Sequence, residues 1–316
     1  MTTHAPTQAV RTLMAGLIDY AGLFPPASLD MQPTVETFAR DRMGEHEWIL
    51  GRLICPATRL EELSEHAAML MPGTFATSGY RERADAGEPW RVSVIADTEL
   101  DECLDAMAAF NDRHEREMNG LAVADALEIK TPDTDAVERV VDRVPDEVFP
   151  FCEVPVDGDS RGLIAAMAGS ALAAKIRTGG VEASMMPTCE QVAVFVHACA
   201  AADVPFKATA GLHHPVRGDY RLTYDLDSDV GTMHGFLNVF IAAALARGQR
   251  LDVDSLVPIL EERDASVFTF ADDGVGWRDL SVDLVMLAKV RETFALSFGS
   301  CSFSEPVDDL KSLGLL

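Results

Sequence analysis

Three lysines stand at the ends of apolar runs, in a chain with only five lysines among its 26 lysine and arginine side chains. They are Lys130, Lys175 and Lys207. Such runs are typical of buried strands, so each amine is expected to be partly withdrawn from water and close to other charges. Burial and nearby cations both disfavour a protonated amine, which lowers its pKa and makes it nucleophilic. The opposite interpretation is that each lysine is only the structural partner of a carboxylate such as Glu128 or Glu153.

A second polar residue lies two positions from each lysine, and residues two apart in a strand point to the same side. The three pairs are Glu128 with Lys130, Lys175 with Arg177, and Lys207 with Thr209. If these sides line one pocket, a carboxylate beside two amines can move protons during a reaction. The surplus cations would suit an anionic substrate.

Short apolar runs alternate with amphipathic helical stretches along most of the chain. The predicted strands are 17–23, 48–55, 91–96, 124–130, 147–154, 172–177, 204–210 and 267–271. Eight strand–helix units predict an α/β fold, a TIM (β/α)8 barrel in one domain over residues 1–316, with its parallel sheet buried on both faces. A doubly wound open sheet is the alternative. Residues 10–20 could also form an N-terminal helix, which makes the first strand the weakest of the eight.

Two segments fall outside the repeating pattern, a long loop at 210–232 and a C-terminal tail at 297–316. In a barrel, the C-terminal ends of the strands form the active face. The last predicted strand ends at Asp272 and Asp273. The candidate catalytic residues at these ends are Lys175, Lys207, Glu128 and Glu153. The candidate substrate-binding residues are Lys130, Arg177, Thr178, Gly179, Thr209, His213, His214 and Asp19.

Two short motifs carry a resemblance to a known family. The run from Lys175 to Gly179 reads K-x-x-T-G, and the run from Lys207 to Gly211 reads K-A-T-A-G about one strand–helix unit later. This pair resembles the lysine strands of the deoxyribose-phosphate aldolase group of class I aldolases. The resemblance implies that Lys175 forms a Schiff base with the substrate carbonyl and that Lys207 lowers the pKa of Lys175. It also implies an acidic proton relay on an earlier strand, which Glu128 would supply.

The chain departs from that family in ways that change the expected substrate. Arg177 replaces a small residue, and residues 212–215 (LHHP) replace the family's phosphate-contacting loop. Asp272 and Asp273 would repel a phosphate. A carbonyl compound with a carboxylate or several hydroxyls is therefore as good a candidate as a sugar phosphate. Residues 18–26 and 205–214 also resemble an uncharacterised bacterial protein family, from which no activity can be carried over.

Composition excludes several classes of function. With 51 acidic side chains against 26 lysines and arginines, the net charge is −25, so binding to nucleic acid is disfavoured. The longest apolar stretch, 236–246, is too short to span a bilayer. No export signal is visible at the N-terminus, and the six cysteines form no CxxC pair, which favours reduced thiols in the cytoplasm. The expected partner is a small-molecule carbonyl substrate, and homo-oligomer formation is left open.

Three functions follow from these observations. The first is a class I aldolase-like carbon–carbon lyase that uses a Schiff base and needs neither cofactor nor metal. The second is a divalent-metal-dependent lyase or hydrolase, in which His213 or His214 would join a strand-end carboxylate such as Glu153 or Asp97. The third is a non-catalytic small-ligand-binding barrel, which would require the strand-end charges to pair fully with one another.

Overall fold

Eight parallel strands close into a barrel in a computed structural model that describes residues 5–73 and 87–316. The strands are β1 (Ile18–Tyr20), β2 (Leu50–Pro56), β3 (Trp90–Ile95), β4 (Ala122–Lys130), β5 (Phe149–Glu153), β6 (Ala173–Arg177), β7 (Phe206–Thr209), β8 (Gly218–Arg221), β9 (Val230–Met233), β10 (Phe268–Phe270), β11 (Gly274–Trp277), β12 (Leu280–Asp283) and β13 (Ala295–Ser300). The barrel has the order β1-β13-β7-β6-β5-β4-β3-β2. The predicted TIM-barrel fold is thus confirmed, and the open-sheet alternative is wrong.

Helices cover the outside of the barrel. They are α1 (Gln8–Met14), α2 (Met31–Asp41), α3 (Leu60–Ala67), α4 (Leu100–His114), α5 (Thr134–Arg143), α6 (Arg161–Met167), α7 (Cys189–Ala202), α8 (Phe236–Gln249), α9 (Val253–Glu261), α10 (Leu284–Thr293) and α11 (Ser304–Ser312). The apolar stretch 236–246 is the buried part of α8, packed between α7, α9 and α10. Within the described ranges, no helix has the length and apolarity needed to cross a membrane.

The eighth barrel strand is not the run predicted at 267–271. That run contains β10, which pairs antiparallel with β11 in a separate three-stranded sheet. The barrel is closed by β13, which lies between β1 and β7. Residues 297–316, expected as a tail, contain most of this strand and all of α11. Asp272 and Asp273 therefore do not end a barrel strand, and Asp272 instead accepts a hydrogen bond from the Gln8 backbone.

Small side chains explain why β13 is hard to recognise from the sequence. Its run, ALSFGS, carries serines and a glycine where a buried strand usually has branched apolar residues. The interior at this point holds charged groups instead, and the Ser297 hydroxyl donates to the Asp19 carboxylate. A side chain on Gly299 would come within 3.0 Å of Ile54. The serines and the glycine of β13 therefore reflect the charged groups that the barrel encloses beside this strand.

Two other segments differ in detail from the prediction. Residues 17–23 supply β1, while part of the alternative helix also exists as α1, which ends before that strand. The segment 210–232 is not a plain loop, because β8 and β9 pair within it as an antiparallel hairpin that ends at residue 233. Short polar strands with exposed alternate residues give little apolar periodicity, so this hairpin has no clear sequence signal.

Candidate active site

Neighbouring strands bring four of the predicted residues into one row across the barrel. Lys130 on β4 is in register with Glu153 on β5, and Glu153 is in register with Lys175 on β6. Lys175 is in turn in register with Lys207 on β7. Adjacent parallel strands lie about 4.8 Å apart, so side chains in such a row are neighbours. The strand register alone therefore brings three amines and one carboxylate together.

Lys207 is the deepest member of this cluster. Its side chain is fully buried, and its Nζ lies 2.5 Å from Asp19 Oδ2 and 2.6 Å from Glu128 Oε1. Ser93 donates to the same Glu128 oxygen at 2.7 Å. Neither Lys207 nor Asp19 lines the cavity that lies at the C-terminal ends of the barrel strands. The structure therefore makes Asp19 a partner of Lys207 and not a residue that could contact substrate directly.

Lys175 is the amine at the floor of the cavity. Its Nζ lies 2.7 Å from Glu128 Oε2 and 2.9 Å from Glu153 Oε2. The ion pair with Glu128 is close but poorly directed, so that Oε2 accepts no hydrogen bond of ordinary geometry from the described residues. Glu128 thus lies between the two amines, with Oε1 held by Lys207 and Oε2 facing Lys175.

The charges in this cluster set the pKa of Lys175 in the direction opposite to the prediction. Burial alone would lower the pKa of this amine, but Glu128 and Glu153 outweigh burial and raise it above the ordinary lysine value. For Glu128, burial would raise the pKa, yet Lys175 and Lys207 hold it well below its usual range. The expected lowering of the Lys175 pKa is therefore wrong, because the nearest charges are carboxylates.

A cavity of about 430 Å³ lies at the C-terminal ends of the strands, within the size range of small-molecule sites. Glu128, Glu153 and Lys175 contribute to its charged part. Its apolar lining includes Phe24, Pro25, Pro26, Ile54, Ile95 and Met185. An apolar surround of this kind limits the access of water to the amine and strengthens each charge interaction near it.

Two cations beside this cavity form no ion pair within the described parts of the chain. Lys130 and Arg177 both line it and both are exposed. Over the described ranges, neither side chain forms a salt bridge or a hydrogen bond, in contrast to the paired Lys175 and Lys207. The strand-end charges are therefore not fully paired with one another. An anionic group of a ligand could contact these cations without displacing an existing interaction.

The motif residues after the two lysines have a structural explanation. The Thr178 hydroxyl donates to the carbonyl oxygen of Ala210 at 2.6 Å and lies within 3.2 Å of that of Thr209. A side chain on Gly179 would approach the Gly211 backbone to 2.9 Å, and Gly211 has a positive φ of 73°. Thr178 and Gly179 therefore join the ends of β6 and β7 and do not line the cavity, whereas Thr209 does.

His213 and His214 face α11 and not the strand-end carboxylates. His213 Nδ1 lies 3.2 Å from Glu305 Oε2, and His214 Nδ1 lies 2.7 Å from Asp309 Oδ2. His213 also lines the main cavity, beside Cys301. Burial would lower the pKa of His213, but Cys301 and Glu305 raise it to about 9. No group of three or more His, Cys, Asp or Glu side chains in the described residues is arranged to hold a metal ion.

Sequence reasoning missed several residues that support this site. Ser93 and Ser297 hold the inner carboxylates through their hydroxyls. Glu305 holds His213, and the Tyr224 hydroxyl donates to Glu305 at 3.2 Å. Serines inside apolar runs are a weak signal of internal polar partners. Glu305 has no such signal, because it belongs to a helix in a segment whose sequence predicts only a tail.

No protein-family model, curated protein or solved structure matches this chain. The comparisons therefore support neither the aldolase resemblance nor the second resemblance. TIM barrels commonly carry enzymes, with the active site at the face where the cavity lies. The arguments about function accordingly rest on the geometry of the cluster.

Proposed function

We propose that this chain is a Schiff-base carbon–carbon lyase of the class I aldolase type, acting on a small carbonyl compound. One observation carries the proposal. The amine of Lys175 lies in the floor of an apolar-walled cavity within 3 Å of two carboxylates, Glu128 and Glu153. An amine that attacks a carbonyl needs a group to take its proton and a group to stabilise the cation that forms.

The first half of the reaction forms an iminium ion. Lys175 gives a proton to Glu153, and the free amine then attacks the carbonyl carbon to form a carbinolamine. The carbinolamine hydroxyl takes up the proton that Glu153 received from Lys175 and leaves as water, which yields a cationic iminium. Glu128 stays ionised because its pKa is far below neutral, so it stabilises this cation as it stabilises the ammonium. The two carboxylates that raise the pKa of Lys175 thus oppose loss of its proton but stabilise the iminium cation.

The second half breaks the carbon–carbon bond. A carboxylate removes the proton of the substrate's β-hydroxyl, a new C=O bond forms there, and the C–C bond breaks to release an aldehyde or ketone as the first product. The electron pair of the cleaved bond forms the C=C bond of an enamine, and the C=N π pair moves to nitrogen. Glu153 suits this base role better than Glu128, because it contacts one amine and Glu128 contacts two. The enamine carbon then takes up a proton, and water hydrolyses the iminium to release the second product and the amine.

Lys207 acts through Glu128 in this scheme. It does not lower the pKa of Lys175 directly, because Asp19 and Glu128 both lie against its amine. It instead keeps Glu128 ionised and holds one of its oxygens in place. Lys207 is therefore a positioning residue. Lys130 and Arg177, which form no ion pair in residues 5–73 and 87–316, would hold an anionic group of the substrate.

The experiment is reductive trapping. Wild-type protein and Lys175→Ala are treated with borohydride and a panel of carbonyl compounds that includes pyruvate, glycolaldehyde and dihydroxyacetone, and each intact mass is measured. The proposal predicts an adduct on wild type that is absent from the variant. An adduct of equal yield on Lys175→Ala would contradict the assignment. No adduct with any compound would contradict Schiff-base chemistry for this panel.

Non-catalytic binding is the second candidate. The raised pKa of Lys175 favours it, whereas the full pairing of strand-end charges that it would require is not met at Lys130 and Arg177 within the described ranges. A protonated Lys175 could simply help to bind an anion together with Lys130 and Arg177. Stabilisation of the protein by a carbonyl compound without any trapped adduct would support this candidate. The metal-dependent alternative has no observation in its favour, since His213 and His214 contact Glu305 and Asp309 of α11.

A further inference from the structure

We infer that a second cavity, between the β8–β9 hairpin and α11, binds a hydroxylated tail of the substrate. The cavity measures about 260 Å³ and is lined by Tyr220, Arg221, Thr223, Tyr224 and Glu305, among others. The inference rests on the proposed function for the carbonyl end of the ligand, which would stay at Lys175. It adds a binding site and the chemistry of the group that occupies it.

The two cavities are neighbours. Pro26 and His213 line both of them. A chain held at Lys175 can therefore extend past His213 toward the hairpin. A three-carbon carbonyl compound held at Lys175 does not span both cavities, so a longer ligand is needed to reach the hairpin.

A positively charged hydrogen-bond donor and a negatively charged acceptor line the second cavity. Arg221 is exposed, and over the described ranges its guanidinium has no salt bridge or hydrogen bond. Glu305 Oε1 lies 4.0 Å from His214 Nε2, which is too far for a hydrogen bond. The His214 and Tyr220 rings are stacked, with their centroids 3.6 Å apart. Within the described ranges, the cavity therefore combines a donor and an acceptor oxygen that make no hydrogen bond, together with a pair of stacked rings.

This combination selects hydroxyl groups over charged groups. A carboxylate tail would be attracted by Arg221 but repelled by Glu305, and an ammonium tail would be repelled by Arg221 but attracted by Glu305, so neither charge gains from both groups. A hydroxyl can accept from a guanidinium and donate to a carboxylate, and it carries no charge to desolvate. The carbon–hydrogen faces of a polyol can also lie against the stacked rings. The ligand that fits is a polyhydroxylated chain.

The test compares two ketones of equal length. D-xylulose and D-ribulose carry hydroxyls along a five-carbon chain. The compound 1,4-dihydroxy-2-pentanone has the same chain and the same β-hydroxyl but lacks the hydroxyls on carbons 3 and 5. The readout is the concentration at which reductive trapping is half-saturated. Two added hydrogen bonds predict that the better pentulose saturates at about tenfold lower concentration than 1,4-dihydroxy-2-pentanone. Equal half-saturation would overturn the inference while leaving the Schiff-base proposal intact.

Variants assign the preference to the second cavity. Arg221→Gln is expected to remove most of the preference for the pentulose. Arg139→Gln is the matched control, because Arg139 is exposed on α5 and also has no partner in the described residues. Retention of the full preference in Arg221→Gln would overturn the inference. Loss of the preference in both variants would overturn it as well.

A ligand without a carbonyl separates the site from the chemistry. Xylitol at millimolar concentration should raise the Tm of wild type and of Arg139→Gln by more than that of Arg221→Gln. If xylitol does so and no ketone is trapped, the second cavity binds polyols but the Schiff-base function is wrong. If xylitol stabilises all three proteins equally and the ketones are trapped equally, the function stands and the inference is wrong.

Discussion

Lys175 and Arg291 are both buried cations of this barrel, but their partners differ in kind. Lys175 contacts two carboxylates at the floor of a cavity. Arg291 on α10 contacts main-chain carbonyl oxygens, at 2.7 Å from Leu13 and 3.0 Å from Ala15, together with those of residues 295 and 296. In the described parts of the chain, Arg291 has no carboxylate partner. The two sites therefore satisfy buried positive charge in different ways.

This difference separates a structural cation from a candidate catalytic one. A carbonyl oxygen at neutral pH cannot take up a proton, so the Arg291 site can only connect α1, α10 and β13. Burial lowers the pKa of Arg291 to about 10, which still leaves it charged at neutral pH. A carboxylate can accept a proton from its neighbour, so the Lys175 site can change its protonation during a reaction. Partner chemistry, more than depth of burial, distinguishes the two.

Lys207→Met should have the largest effect on stability. The substitution leaves Asp19 with a buried charge and no amine beside it. Breaking a buried pair in this way typically costs about 3–5 kcal/mol of the free energy of unfolding. Chemical denaturation measures this loss. The double variant Lys207→Met/Asp19→Asn should recover part of it, and a loss below about 1 kcal/mol for the single variant would show that the inner pairs are not structurally important.

Arg291→Met tests the buried cation that is held by main-chain carbonyl oxygens. It leaves the carbonyl oxygens of Leu13 and Ala15 without their donor, and each buried acceptor left unsatisfied costs about 1–3 kcal/mol. We expect the free energy of unfolding to fall by about 2–4 kcal/mol. Trapping per folded molecule should stay at the wild-type level when it is measured well below the Tm. Loss of trapping in the folded variant would mean that Arg291 is not only structural.

The pH dependence of trapping sharpens the comparison. Because the pKa of Lys175 is raised, only a small fraction of its amine is unprotonated at pH 7. With excess reductant, the trapping rate constant should keep rising with pH up to pH 9 without a plateau, by at most about tenfold per pH unit, because part of the proton transfer stays inside the site between Lys175 and Glu153. Glu153→Gln removes one nearby carboxylate, so its profile should bend at a lower pH. A wild-type plateau near pH 7 would indicate a lowered pKa.

The free energy of unfolding should also depend on the protonation of Lys175 at high pH. A folded-state pKa above the unfolded value means that protonated Lys175 favours the folded state. Its contribution is complete below the ordinary lysine pKa of about 10.4 and is lost as the pH rises through the higher folded value. Wild type should therefore lose more stability than Lys175→Met as the pH rises above about 10.

The pH dependence of the Tm that His213 causes should be the smallest of these effects. Its pKa of about 9 lies above the ordinary histidine value of 6.5, so its stabilising contribution is complete below pH 6.5 and is lost as the pH rises through about 9. We expect the Tm of His213→Asn to change less than that of wild type between pH 6.5 and pH 9. Parallel Tm curves for the two proteins over this interval would show that His213 does not titrate with that pKa.

Much of the barrel could be predicted because parallel strands are short, apolar and separated by helices. Seven of the eight barrel strands fall on predicted runs. The eighth does not, because β13 carries serines and a glycine around a polar interior, while the apolar run containing β10 belongs to another sheet. Local apolar pattern therefore identifies strands but not which sheet each one joins.

The candidate site could be predicted in its members but not in its electrostatics. Strand ends and period-two spacing are enough to group Glu128, Glu153, Lys175 and Lys207 from the amino-acid sequence. The direction of the Lys175 pKa depends on whether the nearest charge is Lys207 or a carboxylate, and only the three-dimensional arrangement fixes that. Asp19 reaches Lys207 from a strand 188 positions away in sequence, so its role could not be inferred from spacing.

Locating a reduced adduct by peptide mapping tests the central claim most directly. Wild-type protein is trapped with a carbonyl compound and borohydride, digested, and each lysine-containing peptide is analysed by tandem mass spectrometry. The account predicts a single modified residue, Lys175, at the cavity floor. Lys289→Met, an exposed substitution on α10, should give the same result as wild type. Modification of Lys130 instead, or equal modification of several lysines, would contradict the account.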